Sequence, residues 1–92
     1  MKASLAEKLR LARLNVRMLQ IEAGRRSGIS PKSISSWETG QRLESIKLRQ
    51  LCRLLMVYEM TLREFLEWNP VREEYLRKIL EQNPAGRFVS RR

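Results

Sequence analysis

The chain contains no histidine and no aspartate, a single cysteine at position 52, and glutamate as its only carboxylate side chain. These absences remove most enzyme chemistry. Metal centres draw on clusters of His, Cys, Asp and Glu, and nucleophilic triads need a base that is most often His. The adjacent Glu73 and Glu74 cannot act as an acid and base on one substrate, because neighbouring residues of a helix do not face each other. Among only four glycines there is no phosphate loop of the Walker or dinucleotide type. The expectation is a protein that is not an enzyme and takes no cofactor and no metal. One cysteine cannot close an internal disulfide, so a reducing cytoplasm is the expected setting. No apolar run approaches the roughly 20 residues of a membrane span, and the N-terminus lacks the apolar core of a signal peptide, so no membrane partner is expected.

What the sequence has in excess is positive charge. Lysine and arginine total 19 against 10 acidic residues, a formal net charge of +9 over 92 residues, and most of the bases are arginine. Arginine keeps its charge and grips phosphate through a planar fork, so the balance favours a polyanionic partner. At 42% hydrophobic, a chain of this length encloses one helical core and not two.

The stretch from Gln20 to Thr39 is the most informative. Ala23, Gly24 and Ser27 are small enough for a second helix to approach, Gly28 suits a left-handed turn, and Ile29, Ile34 and Trp37 fill the wedge between two crossing helices. Ser30 is a good N-cap, Pro31 sits where its missing N–H costs nothing, and Gly40 provides a stop. The pattern is a helix-turn-helix whose second helix runs from about Pro31 to Thr39. With Ile34, Trp37 and Glu38 turned inward, Lys32, Ser33, Ser35 and Ser36 are left facing outward. Trp37 is read as core, not as a stacking platform for bases.

The flanking segments read as further helices. Ser4 to Glu7 is a capping box opening a first helix with the stripe Leu5, Leu9, Ala12 and Val16. A fourth helix is expected from near Ser45 to Val57 or beyond, with Cys52 packed inside it. A fifth opens with the capping box Thr61 to Glu64 and ends before Asn69-Pro70. A sixth, Val71 to Gln82, carries the stripe Val71, Tyr75, Leu76, Ile79 and Leu80, too apolar to be left in water. Leu11 and Leu14 on the first helix are unaccounted for and could receive it. The expected core combines Leu9, Ile34, Trp37, Leu51, Leu55 and Phe65.

The segment Leu5 to Leu66 resembles the phage-repressor and Cro type of helix-turn-helix domain, also called the xenobiotic-response-element family. The resemblance implies an all-α, lambda-repressor-like bundle of five helices, to which this chain adds one C-terminal helix. In that family a Gln opens the second helix, here Gln20, and a basic residue of the first helix pairs with an acidic one ending the third, here Arg13 and Glu38. Thr39-Gly40-Gln41-Arg42 is similar to the family's loop along the DNA backbone, and Leu48, Leu51, Cys52 and Leu55 to its fourth-helix stripe. Three positions depart. Arg17 stands where Gly is usual, so the exit from the first helix is expected to rely on Asn15. The Val57 to Met60 stretch is long and suggests an extra turn on the fourth helix, and Glu44 lies in the backbone-contacting loop.

The resemblance and the charge together imply a sequence-specific regulator that binds double-stranded DNA, a repressor occupying a palindromic operator as a homodimer. Lys32, Ser33 and Ser36 are the expected base contacts, and Gln20, Ser35, Thr39, Gln41 and Arg42 the backbone contacts. Arg25 and Arg26 could be phosphate ligands or a solvated face. Arg13 and Glu38 are read as a partly buried structural ion pair. Residues 1–69 form the expected DNA-binding domain, 70–82 a dimerisation helix and 83–92 a basic flexible tail. The chain would be cytoplasmic, and nucleoid-associated when bound to DNA. The alternative is an antitoxin or co-regulator adapter that holds a protein partner through its last helix. RNA binding lacks the exposed aromatics that stack on single-stranded bases.

Overall fold

The computed structural model of the protein describes residues 3–82, with the side chains of 71, 72, 74, 75, 79 and 82 excepted. It is all-α. In chain order it consists of α1 (Leu5–Asn15), α2 (Gln20–Ser27), α3 (Pro31–Glu38), a 3-10 turn (Leu43–Ser45), α4 (Leu48–Val57), α5 (Leu62–Glu67) and α6 (Pro70–Gln82). No strand occurs among the described residues. The expected tail, 83–92, lies outside them.

The starts of α1 and α5 follow their capping boxes. Ser4 Oγ accepts from the Glu7 N–H at 3.1 Å while Glu7 Oε1 accepts from the Ser4 N–H at 2.9 Å. Thr61 and Glu64 repeat the exchange at 3.0 and 2.8 Å. Each pair satisfies two N–H groups that the helix cannot. Pro70 opens α6 at a position that needs no N–H donor.

The helix ends are less conventional. α1, α3 and α4 each finish in a Schellman motif, in which two backbone N–H groups fold back on the last turn. Met18 N–H reaches Arg13 O at 3.2 Å and Arg17 N–H reaches Leu14 O at 2.9 Å. The motif needs a left-handed residue, and only α3 uses glycine for it, Gly40 at φ 85°. Arg17 (φ 55°) closes α1 and Glu59 (φ 63°) closes α4, each at a conformational cost of about 1–2 kcal/mol for a side chain with a Cβ. The exit from α1 therefore does not rely on Asn15, which is the last helical residue. Nor does α4 carry an extra turn, because Glu59 reverses the backbone directly after Tyr58.

Leu9, Ala12, Met18, Ala23, Ile29, Ile34, Trp37, Leu54, Leu55, Tyr58 and Phe65 form the core. Several sequence expectations change here. Leu5 is exposed, Val16 and Leu51 only flank the core, and Cys52 is half-buried. Tyr58 is nearly inaccessible, and its hydroxyl meets no protein partner among the described residues. Burial pushes the phenol far above its ordinary range, the Glu38 carboxylate adds to the shift and Arg13 opposes it. α4 also starts later than expected, at Leu48, because Leu43–Ser45 form the separate 3-10 turn. Lys8 helps dock α5 on α1, its Nζ lying 4.8 Å from the Phe65 ring centre and 3.4 Å from the Leu66 carbonyl. Desolvation holds that ammonium below its ordinary pKa.

α2 and α3 cross at a glycine contact. A Cβ built on Gly24 would lie 2.7 Å from the Ile29 carbonyl oxygen and 2.8 Å from Pro31 Cγ. Neither the carbonyl nor the ring can rotate away, so the crossing distance depends on that hydrogen. The start of α6 sits near α1, where Leu11, Asn15, Trp68, Pro70, Glu73 and Arg77 line a cleft of about 280 Å³. Trp68 Nε1 donates to Glu73 Oε1 there at 3.0 Å.

Two substitutions should move stability in opposite directions. Gly24→Ala, although it improves helix propensity, should cost about 1–3 kcal/mol because the methyl group must push α2 and α3 apart. Glu59→Gly should stabilise by up to about 1 kcal/mol by relieving the left-handed backbone. Urea unfolding of both proteins reads the two shifts, and an unchanged midpoint for Gly24→Ala would show that the crossing has slack.

Candidate nucleic-acid interface

The candidate reading helix, α3, is fixed from behind by an ion pair. Arg13 Nε and Nη2 donate to the two carboxylate oxygens of Glu38 at 2.7 and 2.8 Å, and Arg13 Nη1 donates to the Met18 carbonyl at 2.7 Å. The side chains are 9% and 3% exposed, so the pair is buried and not a solvated surface bridge. Hydrogen bonding to Glu38 raises the Arg13 pKa above its ordinary value, against the opposing effect of burial. Gln20 Nε2 adds a further bond to Glu38 Oε1 at 3.0 Å. One carboxylate thus joins α1, the first residue of α2 and the end of α3.

The outward side of α3 follows from that attachment. Ile34, Trp37 and Glu38 point inward, so the 3.6-residue repeat turns Lys32 fully outward and leaves Ser33, Ser35 and Ser36 half-exposed. Ser30 Oγ caps the helix by accepting from the Lys32 N–H at 3.1 Å. With Glu38 neutralised by Arg13, Lys32 is the one charge on α3 that makes no ion pair among the described residues. The helix therefore offers short hydroxyls and one cation, groups suited to base edges and phosphates.

The loop after α3 is also held. Thr39 Oγ1 donates to the Ser35 and Ser36 carbonyls at 3.2 and 3.0 Å, and Gln41 N–H returns to Ser36 O at 2.8 Å. Thr39, Gln41 and Arg42 are exposed, as is Glu44. Arg42 takes a left-handed conformation, φ 55° and ψ 28°. Gln20 is half-exposed, and its amide already donates to Glu38. Arg25 and Arg26 are exposed, and Arg26 pairs with Glu22 at 2.9 Å. Leu76 and Leu80 of α6 are 45% and 51% exposed. Val71, Tyr75 and Ile79 share that helix, but their side chains lie outside the described residues.

Sequence reasoning did not find the Met18 carbonyl as the third acceptor for Arg13, the bond from Gln20 to Glu38, or Ser45, which hydrogen-bonds Trp37 and the Arg42 carbonyl. Each depends on how distant segments are brought together, and no local pattern signals it.

Two short helices crossing at a glycine, with a polar outward face on the second, define a DNA-binding helix-turn-helix protein. Residues 9–65 match a family model described as helix-turn-helix. The chain belongs to this family, the Cro/CI type of DNA-binding transcription regulators. No curated protein matches it. Among solved structures, a crystal structure of Fe(II)-HppE with alternative substrate (S)-1-HPP is similar, at 26% identity and a TM-score of 0.57, over 66% of this chain and 32% of that one. The chain thus spans about a third of that protein's length, and the iron and substrate in that description belong to that protein. Among the described residues here, no group of three His, Cys, Asp or Glu is placed to hold a metal ion, and no helix is long and apolar enough to cross a membrane.

Because the ion pair is buried, removing one partner should leave an uncompensated charge. Glu38→Ala is expected to cost about 3–5 kcal/mol, far more than the roughly 0–1 kcal/mol of a surface pair. Replacing both residues together, Arg13→Met with Glu38→Leu, should cost much less than the single change. Thermal melts of the three proteins would decide between a buried pair and a solvated one, and a Glu38→Ala melt equal to the parent's would rule out the buried one.

Proposed function

We propose that the protein is a sequence-specific repressor that occupies a palindromic operator as a homodimer. Lys32, Ser33 and Ser36 meet base edges in the major groove, and Gln20, Ser35, Thr39, Gln41 and Arg42 meet the sugar-phosphate backbone. Lys32 approaches a guanine O6 or N7, and the serines approach less selective partners. The observation that carries this reading is the division of α3 into a buried face locked by Arg13 and Glu38 and an outward face of small polar groups and one lysine. Such a face reads few bases, so one copy discriminates weakly and a twofold pair reading two half-sites is favoured. The net charge of +9 supports the same partner, because each neutralised phosphate releases counterions.

In this reading residues 1–69 form the DNA-binding domain, 70–82 the dimerisation helix and 83–92 a basic tail. The exposed Leu76 and Leu80, one helical turn apart, support α6 as the seam. The protein acts in the cytoplasm on the nucleoid, without a metal, a cofactor or catalysis.

Selection of bound duplexes from a random pool tests specificity and symmetry together. A palindromic consensus with half-site centres about one helical turn apart is expected. A single, asymmetric site would remove the twofold operator, and sedimentation of the full chain as a monomer in the presence of that duplex would favour an adapter that uses α6 for another protein. On the selected duplex, Lys32→Ala should relax preference at one position of each half-site by about 1–3 kcal/mol. Arg42→Ala should instead weaken every duplex alike and lower the salt slope by about 0.9 for each phosphate that is no longer neutralised. Equal losses on all duplexes for Lys32→Ala would remove that residue from base reading.

A further inference from the structure

We infer that Ser45 is a positioning residue for DNA, acting by holding Arg42 against the backbone through a hydrogen-bond relay that begins at the buried indole of Trp37. The inference rests on the reading of Arg42 as a backbone contact. Trp37 Nε1 donates to Ser45 Oγ at 3.2 Å, and the same hydroxyl donates its proton to the Arg42 carbonyl at 2.7 Å. Ser45 N–H reaches that carbonyl as well, at 2.9 Å. A hydroxyl can accept and donate at once, which neither an alanine nor a backbone amide can do at this point.

The geometry explains why the relay matters for Arg42 in particular. Arg42 stands in the left-handed region, which a residue with a Cβ leaves unless its peptide groups are held. Its side chain is exposed and, among the described residues, makes no ion pair, so nothing aims the guanidinium except its own backbone. Trp37 is buried in the core, and it lies on the same helix as Lys32. Through Ser45 the core therefore sets the distance between the base-reading residue and the backbone-contacting loop. Leu43 and Ile46 pack against the core on either side of Ser45 and confine the remaining freedom of the turn. Ser45 itself is exposed, so loss of its hydroxyl opens no core cavity.

The test is a double-mutant cycle read by fluorescence anisotropy on a labelled duplex of mixed sequence about three helical turns long, in which backbone contacts carry the binding. Arg42→Ala should weaken binding and flatten the salt dependence by about one phosphate's worth of counterion release. Ser45→Ala should do the same more mildly, about fivefold at low salt, the worth of one hydrogen bond. Ser45→Thr, which keeps the hydroxyl, should restore both affinity and salt slope. In an Arg42→Ala background, Ser45→Ala should have no further effect, because the group it positions is gone. Circular dichroism melts of every variant check that each is folded at the assay temperature. A Ser45→Ala protein that binds like the parent while Arg42→Ala is weakened would overturn the positioning role and leave the backbone contact intact. Losses that simply add in the double variant, or that Ser45→Thr does not restore, would also overturn it. An Arg42→Ala protein with parental affinity and salt slope would overturn the backbone reading, and failure of the parent to bind any duplex would overturn DNA binding itself.

Discussion

The fold is organised by the carboxylate of Glu38. It stands at the end of the candidate reading helix, takes both of its strong bonds from Arg13 on α1, and accepts a third from Gln20 at the start of α2. Arg13 directs its Nη1 donor to the Met18 carbonyl, in the turn between α1 and α2. Orientation of α3 relative to the rest of the bundle is thereby set by directional bonds as well as by packing. Apolar contacts alone permit sliding, whereas a bidentate fork has one geometry. The cost is the desolvation of two charges, and an apolar pair of similar volume could be as stable. In the proposed reading, the pair contributes register between the helix that meets DNA and the helix behind it, while the carboxylate itself stays turned inward at 3% exposure.

Packing and backbone geometry then tighten that register. Gly24 allows α3 to come within contact of α2, with the Pro31 ring seated where any larger residue would place a methyl group. At the ends of α1 and α4, Arg17 and Glu59 adopt conformations that glycine would enter more readily. Their strain is offset by the Schellman bonds and by the burial of Met18 and Tyr58 beside them. The chain thus tolerates unfavourable local conformations where the tertiary fold holds both sides of a turn.

Much of this was legible in the amino-acid sequence. Caps announce themselves locally, so the starts of α1, α3 and α5 followed from Ser4, Ser30 with Pro31, and Thr61. The crossing of α2 and α3 followed from small residues at fixed spacing. α4 was harder, because Leu48, Leu51, Cys52, Leu54, Leu55, Met56, Val57 and Tyr58 surround most of the helix with apolar groups and leave its phase undetermined. Contact with α2 and α5 chooses Leu54, Leu55 and Tyr58 for the interior, and leaves Leu48 and Met56 in solvent at 65% and 77% exposure. Left-handed residues other than glycine have no signature of their own, so Arg42 and Glu59 were invisible as such, and Arg17 stood out only because the resembling family has Gly at that place. The partnership of Arg13 with Glu38, 25 residues apart, was legible only through family resemblance, and that of Ser45 with Trp37 not at all, since in the sequence Ser45 marks only the expected start of the fourth helix.

Six of the eight residues of α3 fall into two sets with no shared side chain. Ile34, Trp37 and Glu38 belong to the interior, while Lys32, Ser33 and Ser36 lie outside the core cluster. Selection can therefore act on the two sets separately. If the proposed base contacts hold, a lineage carrying this scaffold could explore new target sites by exchanging three side chains outside the core, without first acquiring a reserve of stability to tolerate the change.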